Sequence, residues 1–379
     1  MNRLSYIGAL LIFCIPIFTC CSSKDKLQNN NKVDNIDTIT DIVKVDSTSD
    51  STSVIIKAES PVRIGVAWRR DTTSSTFRGV IMAIKECGAI PVVLNLQKSP
   101  KLTYSGNKLN PRHEDIHGVL RHKYAEIVKE ESRMDIGIAD SLSGIDAMIF
   151  PGGEDMSPTL FAVPEYWHGI KSEKYYDSTR DVSDYLLMRW CLDHDMPTLC
   201  ICRGMQVLCI LSDVPLIQDL ATYFRQRGKA YNHAHRAQTS EGRRFARHDV
   251  KITDRSSLLY QIADTDLIHN APSWHHQSAK PFKDGKLKLT AVTTTNGIDV
   301  IEGVERTDKT FFVGVQYHPE ISVKKTLEHA IDAPFFMSYE EGMQYFYSLK
   351  EAAKKSMENN GKRVHISHPN DFTIDHINN

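Results

Sequence analysis

From Pro61 onward the apolar positions fall into short runs that alternate between a strand period and a helix period. "VRIGVAW" reads as a buried strand, "FRGVIMAIKECG" as a helix closed by Gly88, and "IPVVLNL" as a second strand. "AMIF" is a short buried strand ahead of Pro151-Gly152-Gly153. In "STRDVSDYLLMRWCLDHD", Tyr185, Leu186, Met188, Trp190 and Cys191 recur at helical spacing, and "PTLCI" is again a strand. Such alternation predicts an α/β fold: a mainly parallel central sheet flanked by helices on both faces. After Phe245 the pattern changes. "HDVKIT", "KLKLTAVTT", "IDVIEGVE" and "FFVGVQ" predict a strand-rich C-terminal half, closed by an amphipathic helix over roughly Tyr339 to Met357. Residues 97–134 are polar and read as an insertion between strands, and no internal repeat is visible.

The N-terminal residues follow another pattern. Arg3 precedes an apolar run from Tyr6 to Phe18, too short to cross a bilayer comfortably as a permanent helix. The run ends at Cys20-Cys21, with Ile17 three residues before Cys20 and the polar "SSKDK" following. This resembles the lipobox of bacterial lipoproteins, where cleavage leaves a lipid-modified cysteine. Cys20 fits best and Cys21 is the alternative acceptor; an ordinary secretory signal or an uncleaved anchor are the competing readings. Residues 22–60 are rich in Ser, Thr, Asp, Asn and Lys and hold no aromatic, the composition of a solvated tether. The expected organisation is a signal peptide (1–20), a polar tether (21–60), one globular domain (61–358, with the insertion at about 97–134) and a tail (359–379). The domain is expected outside the cytoplasm, held at a bacterial membrane by its N-terminal lipid.

Composition narrows the function classes. With 46 basic against 47 acidic residues there is no electrostatic case for nucleic acid. Outside the signal and its edge, Cys87, Cys191, Cys200, Cys202 and Cys209 remain, an odd and crowded set that is not a disulfide framework.

The chemistry concentrates in "PTLCICRGMQVL". A strand ending at Ile201, then Cys202, Arg203-Gly204 and a helix follow the logic of a nucleophile elbow. Gly204 permits close backbone packing, and the positive end of a helix favours a thiolate, the nucleophilic form. Cys191, Cys200 and Cys209 suit buried packing better. "VGVQYHPE" supplies a base, His318, and a carboxylate, Glu320; in an extended segment, residues two apart share a face. Gly152-Gly153 after "AMIF", together with the Arg203 N–H, offers backbone donors for an oxyanion.

In this order, Pro151–Pro158, Ile201–Gln206, Ser273–Gln277 and Gly314–Glu320 resemble the gamma-glutamyl-gamma-aminobutyrate hydrolase family, within the class I glutamine amidotransferase-like superfamily. Arg180-Asp181, Gln218-Asp219 and His248 are smaller echoes. The resemblance spans roughly residues 61–350. It implies Cys202 as nucleophile, His318 as general base and acid, Glu320 as its orienting partner, and the amides of Gly153 and Arg203 as the oxyanion hole. Gln206, Ser273, Trp274, His275 and Gln277 would grip the glutamyl group. The activity implied is hydrolysis of small gamma-glutamyl amides through a thioester. The chain departs from the family pattern at Cys200, usually Gly, at Asp213-Val214, usually Gly-Gly, and at Asp184, usually Glu.

Other classes fit less well. His233 and His235 are spaced to share a strand face, and His275-His276 could join them as metal ligands. No His/carboxylate set stands at established ligand spacing, however, so neither a metal nor a cofactor is expected. An inactive envelope binding protein on the same fold is the alternative function, opposed by the intact Cys202, His318 and Glu320. Ammonia transfer would need a synthase partner, and the chain carries no synthase domain; a homodimer is left open. The basic run Arg225, Arg227, Lys229, Arg236, Arg243, Arg244 and Arg247 reads as a solvated face, with an anionic leaving portion of the substrate as the competing reading.

Overall fold

The computed structural model describes residues 61–134, 136–168, 175–232, 234–240, 242–329 and 335–364. The expected signal peptide and tether, Cys20, Cys21, His233 and the end of the tail lie outside the described residues.

Among the described residues, a sheet of nine strands forms the centre of the fold. In sequence they are β1 (Arg63–Val66), β2 (Ile90–Val93), β3 (Ala147–Phe150), β4 (Thr198–Ile201), β5 (Ala246–Ile252), β6 (Leu267–Ser273), β7 (Leu287–Thr295), β8 (Ile298–Arg306) and β9 (Phe312–Val315). Across the sheet the order is β6-β5-β7-β8-β9-β4-β3-β1-β2. Strands β2, β1, β3, β4 and β9 are parallel, and the pairings from β9 through β8, β7 and β5 to β6 are antiparallel. The expected change of character after Phe245 is this switch. Its local cause is visible at the turn between β7 and β8, where Asn296 and Gly297 both have positive φ (49° and 77°). Two such residues suit a tight hairpin, which can only join antiparallel strands.

Helices cover both faces because the parallel strands are apolar on both. In β3, Ala147 and Ile149 join a core with Ile64, Val66, Phe77 and Phe346, while Met148 and Phe150 join another with Leu186, Met205 and Val128. The first core lies under α1 (Ser75–Glu86), α5 (Pro319–Leu327) and α6 (Tyr339–Val364). The second lies under α2 (His122–Glu131), α3 (Ser178–Asp193) and α4 (Arg203–Leu211). An alternating run buried on both sides is what a sandwiched parallel strand requires. The polar segment 97–134 folds as well: it forms a short hairpin and α2, and sends Leu102, Leu109, Leu120, Ala125 and Val128 into the second core.

The packing of α4 on β3 positions the elbow. A Cβ at Gly204 would stand 2.2 Å from the Phe150 carbonyl oxygen, a backbone atom with little room to retreat. Gly204→Ala should therefore cost about 1–3 kcal/mol of stability, the usual range for overpacking a core. Chemical denaturation against wild type measures it. An unchanged midpoint would show that α4 is free to slide.

Candidate active site

Strand β4 ends at Ile201 and α4 begins at Arg203, so Cys202 alone makes the turn. Its backbone has φ 51° and ψ −104°, a region that L residues with side chains rarely adopt. Such a conformation costs about 1–3 kcal/mol and persists only when the surroundings enforce it. Here the Cys202 N–H donates to the Val315 carbonyl of β9 (2.7 Å), and the Cys202 carbonyl accepts from the Gln206 N–H in α4 (3.1 Å). The thiol is thereby lifted off the carboxyl edge of the sheet, close to the Trp274 carbonyl (Sγ–O 3.9 Å).

His318 and Glu320 meet the thiol from β9. They do not lie in an extended segment, as their spacing suggested, because the chain is already helical at Pro319. His318 is the N-cap of α5 (φ −120°, ψ 77°), and the first helical turn brings the Glu320 carboxylate back to His318 Nδ1, which donates to Oε1 at 2.7 Å. With Nδ1 committed as donor, Nε2 is the nitrogen left for proton transfer. Burial opposes charge on this imidazole, but Glu320 and then Cys202 outweigh it and raise its pKa to about 10. The Pro151-Gly152-Gly153 loop presses against both groups. A Cβ at Gly152 would lie 2.6 Å from His318 Cε1 and 3.4 Å from Cys202 Cβ.

That loop is held by buried charge. Arg180 Nη2 donates to the Pro151 carbonyl (2.7 Å), and its Nη1 donates to the Gly152 carbonyl (3.1 Å) and to Glu154 Oε2 (2.7 Å). Arg69 Nη1 donates to the same Gly152 carbonyl (3.0 Å), and Arg203 Nη1 to that of Glu154 (3.0 Å). Asp181 and Asp184 complete the balance, pairing with Arg203 at 2.9 and 3.2 Å. A trans peptide points its C=O and N–H in opposite directions. With two guanidinium groups on the Gly152 carbonyl, the Gly153 N–H faces away from both. Burial opposes ionisation of Glu154, but Arg180, Arg69 and Arg203 prevail and hold its pKa at about 2.

Above the thiol opens a cavity of about 460 Å³ lined by Cys202, His318, Gly153 and Gln206 at its base. Trp274, His276, Gln277, Phe245, Asp155 and Arg236 line the rest, with Arg69 and Tyr175. His276 is buried, which disfavours its charge, but the carboxylates of Asp155 (3.0 Å) and Asp219 (3.5 Å) raise its pKa to about 9. Both signs of charge therefore line the cavity. Of the residues expected at the site, Ser273 is not on the cavity; its hydroxyl is buried and donates to the His235 carbonyl at 2.9 Å. His275 touches the cavity, but its ring nitrogens turn elsewhere, Nδ1 to the Gln277 carbonyl (2.8 Å) and Nε2 toward Glu302 (3.4 Å). Within the basic run, Arg236 alone among the described side chains lines the cavity; Arg227 lies over the Tyr223 ring and Arg247 donates to the Phe335 carbonyl.

A family model described as Peptidase C26 matches residues 118–320, more than half of the chain. The chain belongs to the Peptidase C26 family. "Protein NtpR" of Enterococcus hirae is 34% identical over 180 residues, which are 47% of this chain and 68% of that protein. A Mycobacterium tuberculosis protein named "Putative glutamine amidotransferase" is 30% identical over 182 residues, 48% of this chain and 53% of its own length. A solved glutamine amidotransferase of Thermotoga maritima aligns with 79% of this chain and 98% of its own at 14% identity and a TM-score of 0.39. The Peptidase C26 match contains Pro151–Pro158, the elbow and His318-Pro319-Glu320, but not Arg69 of the β1–α1 segment. Arg69 and Phe245 are not among the expected site residues, and Asp155 stands in the Pro151–Pro158 motif without an assigned role. A lone Arg after a strand carries no periodic signal, and their shared cavity exists only in three dimensions.

The loop anchor gives a pH prediction. Glu154 has a folded pKa depressed from 4.5 to about 2, so its contribution is present above about pH 4.5 and is lost as pH falls toward 2. The shift corresponds to about 3 kcal/mol. Glu154→Gln should lower unfolding free energy by that order at pH 7, and by less than half as much near pH 3. Denaturant titrations of both proteins at the two pH values check it; an equal gap at both would assign the effect to packing.

Proposed function

We propose that this Peptidase C26 member hydrolyses gamma-glutamyl amides, as the gamma-glutamyl-gamma-aminobutyrate hydrolase motifs suggest, with Cys202, His318 and Glu320 as its catalytic residues. The observation that carries the reading is the Glu320-anchored His318 sharing one buried corner with the strained Cys202. In this scheme the Cys202 thiolate attacks the side-chain carbonyl carbon of the glutamyl group. The developing oxyanion accepts from the N–H groups of Gly153 and Arg203. Imidazolium His318 passes its Nε2 proton to the departing amine, and the C–N bond breaks to leave a thioester. His318 then takes a proton from water, whose oxygen attacks the thioester; the C–S bond breaks, glutamate leaves, and the Cys202 thiolate is restored beside imidazolium His318.

The charged wall supports an amino-acid head group as the recognised part: Asp155 suits an α-amino group, while Arg236 and protonated His276 suit an α-carboxylate. A cavity of about 460 Å³ favours small gamma-glutamyl peptides over wall fragments. The proposal places the enzyme at the cell envelope, lipid-anchored through Cys20 or Cys21. No helix of the described residues is long and apolar enough to cross a membrane.

Two experiments follow. Cys202→Ala should keep the fold and lose several powers of ten in kcat, since loss of one member of such a set removes most of the catalysis. Cys200→Ala should keep most activity, because Cys200 is fully buried and burial pushes its thiol pKa well up. Mass spectrometry over paired gamma- and alpha-linked glutamyl amides reads both the rate and the linkage; equal turnover of the two linkages would sink the substrate assignment. Separately, N-terminal analysis of the native protein should find lipidated Cys20 or Cys21, and changing both to Ser should release it from membranes. Recovery in the cytosol with Met1 retained would overturn the anchoring.

A further inference from the structure

Away from the thiol, four side chains from separate segments converge on one buried point. His235 Nδ1, His248 Nε2 and His275 Nε2 stand 3.0, 3.6 and 3.4 Å from Glu302 Oε1. All four donor atoms lie within 4.8 Å of one another. His235 and Glu302 are fully buried, and His275 is nearly so. Yet none of these three nitrogens, and neither oxygen of Glu302, makes a hydrogen bond. Three imidazole nitrogens and a carboxylate that face one another without well-aligned hydrogen bonds are costly in a dry interior.

The outer edges of the rings define what that centre lacks. His275 Nδ1 faces the Gln277 carbonyl at 2.8 Å, which can only accept, so Nδ1 carries the proton. His248 Nδ1 faces Thr293 Oγ1 at 2.9 Å, and that hydroxyl already donates to the Asp249 carbonyl (2.7 Å), so Nδ1 again donates. His235 Nε2 contacts Thr295 Oγ1 at 3.3 Å. As neutral rings, His248 and His275 thus direct bare Nε2 lone pairs at a carboxylate, an arrangement that is repulsive without a cation between them. Protonating all three imidazoles instead would set three like charges within 4.8 Å of one another around a single carboxylate. Outer-nitrogen hydrogen bonds of this kind are what orient metal-bound histidines. A tetrahedral ion with bonds of about 2.0–2.1 Å sets its ligands about 3.3 Å apart, close to the three separations to Glu302.

We propose that His235, His248, His275 and Glu302 form a closed, structural site for a divalent transition metal, with Zn²⁺ as the ion best suited to three imidazoles and one carboxylate. Four protein ligands leave no open position, so the ion would act as a clamp and not as a catalyst. It joins β5, β8, the segment holding His235 and the loop after β6. The last of these carries Trp274, His276 and Gln277 on the cavity wall. The His235 carbonyl also accepts from the Ser273 hydroxyl and the His275 N–H, both at 2.9 Å, so the clamp and the wall move as one piece. This inference stands apart from the proposed hydrolysis. From the sequence, His235 and His275 are candidate ligands together with His233 and His276, and a metal is not expected. Glu302 and His248 are not connected with them there because the four ligands are spread over four elements, and His276 instead pairs with Asp155 and Asp219.

The test is metal analysis of the native chain purified without a polyhistidine tag or chelator. Mass spectrometry of the metal content should find about one zinc per chain, retained in Cys202→Ala and lost in Glu302→Gln and in His248→Ala. X-ray absorption on the wild type, which needs no variant to fold, should show a four-coordinate nitrogen/oxygen shell at about 2.0–2.1 Å without sulfur. Stripping the ion should lower the melting temperature, and Zn²⁺ should restore it. A metal-free native chain whose melting is unmoved by added Zn²⁺, a shell containing sulfur, or zinc retained in both ligand variants would each overturn the proposal.

Discussion

The backbone of Cys202 is the constraint on which the site rests. A side-chain-bearing residue is kept at φ 51° between a central strand and a buried helix. The strand side is secured by the parallel pairing of β4 with β9, which continues to the Cys202 N–H. The helix side is secured by the close approach of Gly204 to β3. Neither neighbour can shift without breaking sheet hydrogen bonds or opening the core. The strain is therefore borne by the whole parallel half of the sheet, and the thiol stands at its carboxyl edge.

Around this fixed point the structure solves a second problem, orienting peptide groups that have no side chains to hold them. Gly152 and Gly153 must be small because His318, Cys202 and Arg180 occupy the space a Cβ would fill. Small residues leave a loop floppy, and guanidinium groups replace the missing packing. Arg180 and Arg69 grip its carbonyls, and Arg203 grips that of Glu154. Three buried cations would be prohibitive alone; Glu154, Asp181 and Asp184 compensate them. Asp184 reaches both Arg180 and Arg203 at 3.2 Å. The departure at Cys200 is accommodated because its side chain points into the second core, away from the cavity.

The antiparallel half serves the same cavity from the other side. Strand β9 is the hinge between the halves, pairing with β4 on one edge and β8 on the other, and it delivers His318 directly beyond its end. The loop after β6 supplies Trp274, His276 and Gln277, and its inner face turns toward Glu302 of β8. One face of that loop is thus wall and the other is anchor.

By itself the sequence determined the alternation of elements, the strand-rich character after Phe245, and the contiguous motifs of the elbow and of His318-Pro319-Glu320. These are local: each is written in the period of apolar residues or in a few contiguous side chains. It also marked Cys191, Cys200 and Cys209 as packing residues, and all three are buried. The tertiary structure alone decided that the later strands pair antiparallel, and how His318 and Glu320 meet, through a helix cap instead of an extended segment. It alone brought Arg69 and Asp155 to the cavity, took Ser273 off it, and drew Glu302 into contact with three histidines. It also folded the polar segment 97–134 into the core through a few spaced apolar residues. Such outcomes depend on which strands become neighbours. That choice is made by the burial of whole faces, and no short window of sequence contains it.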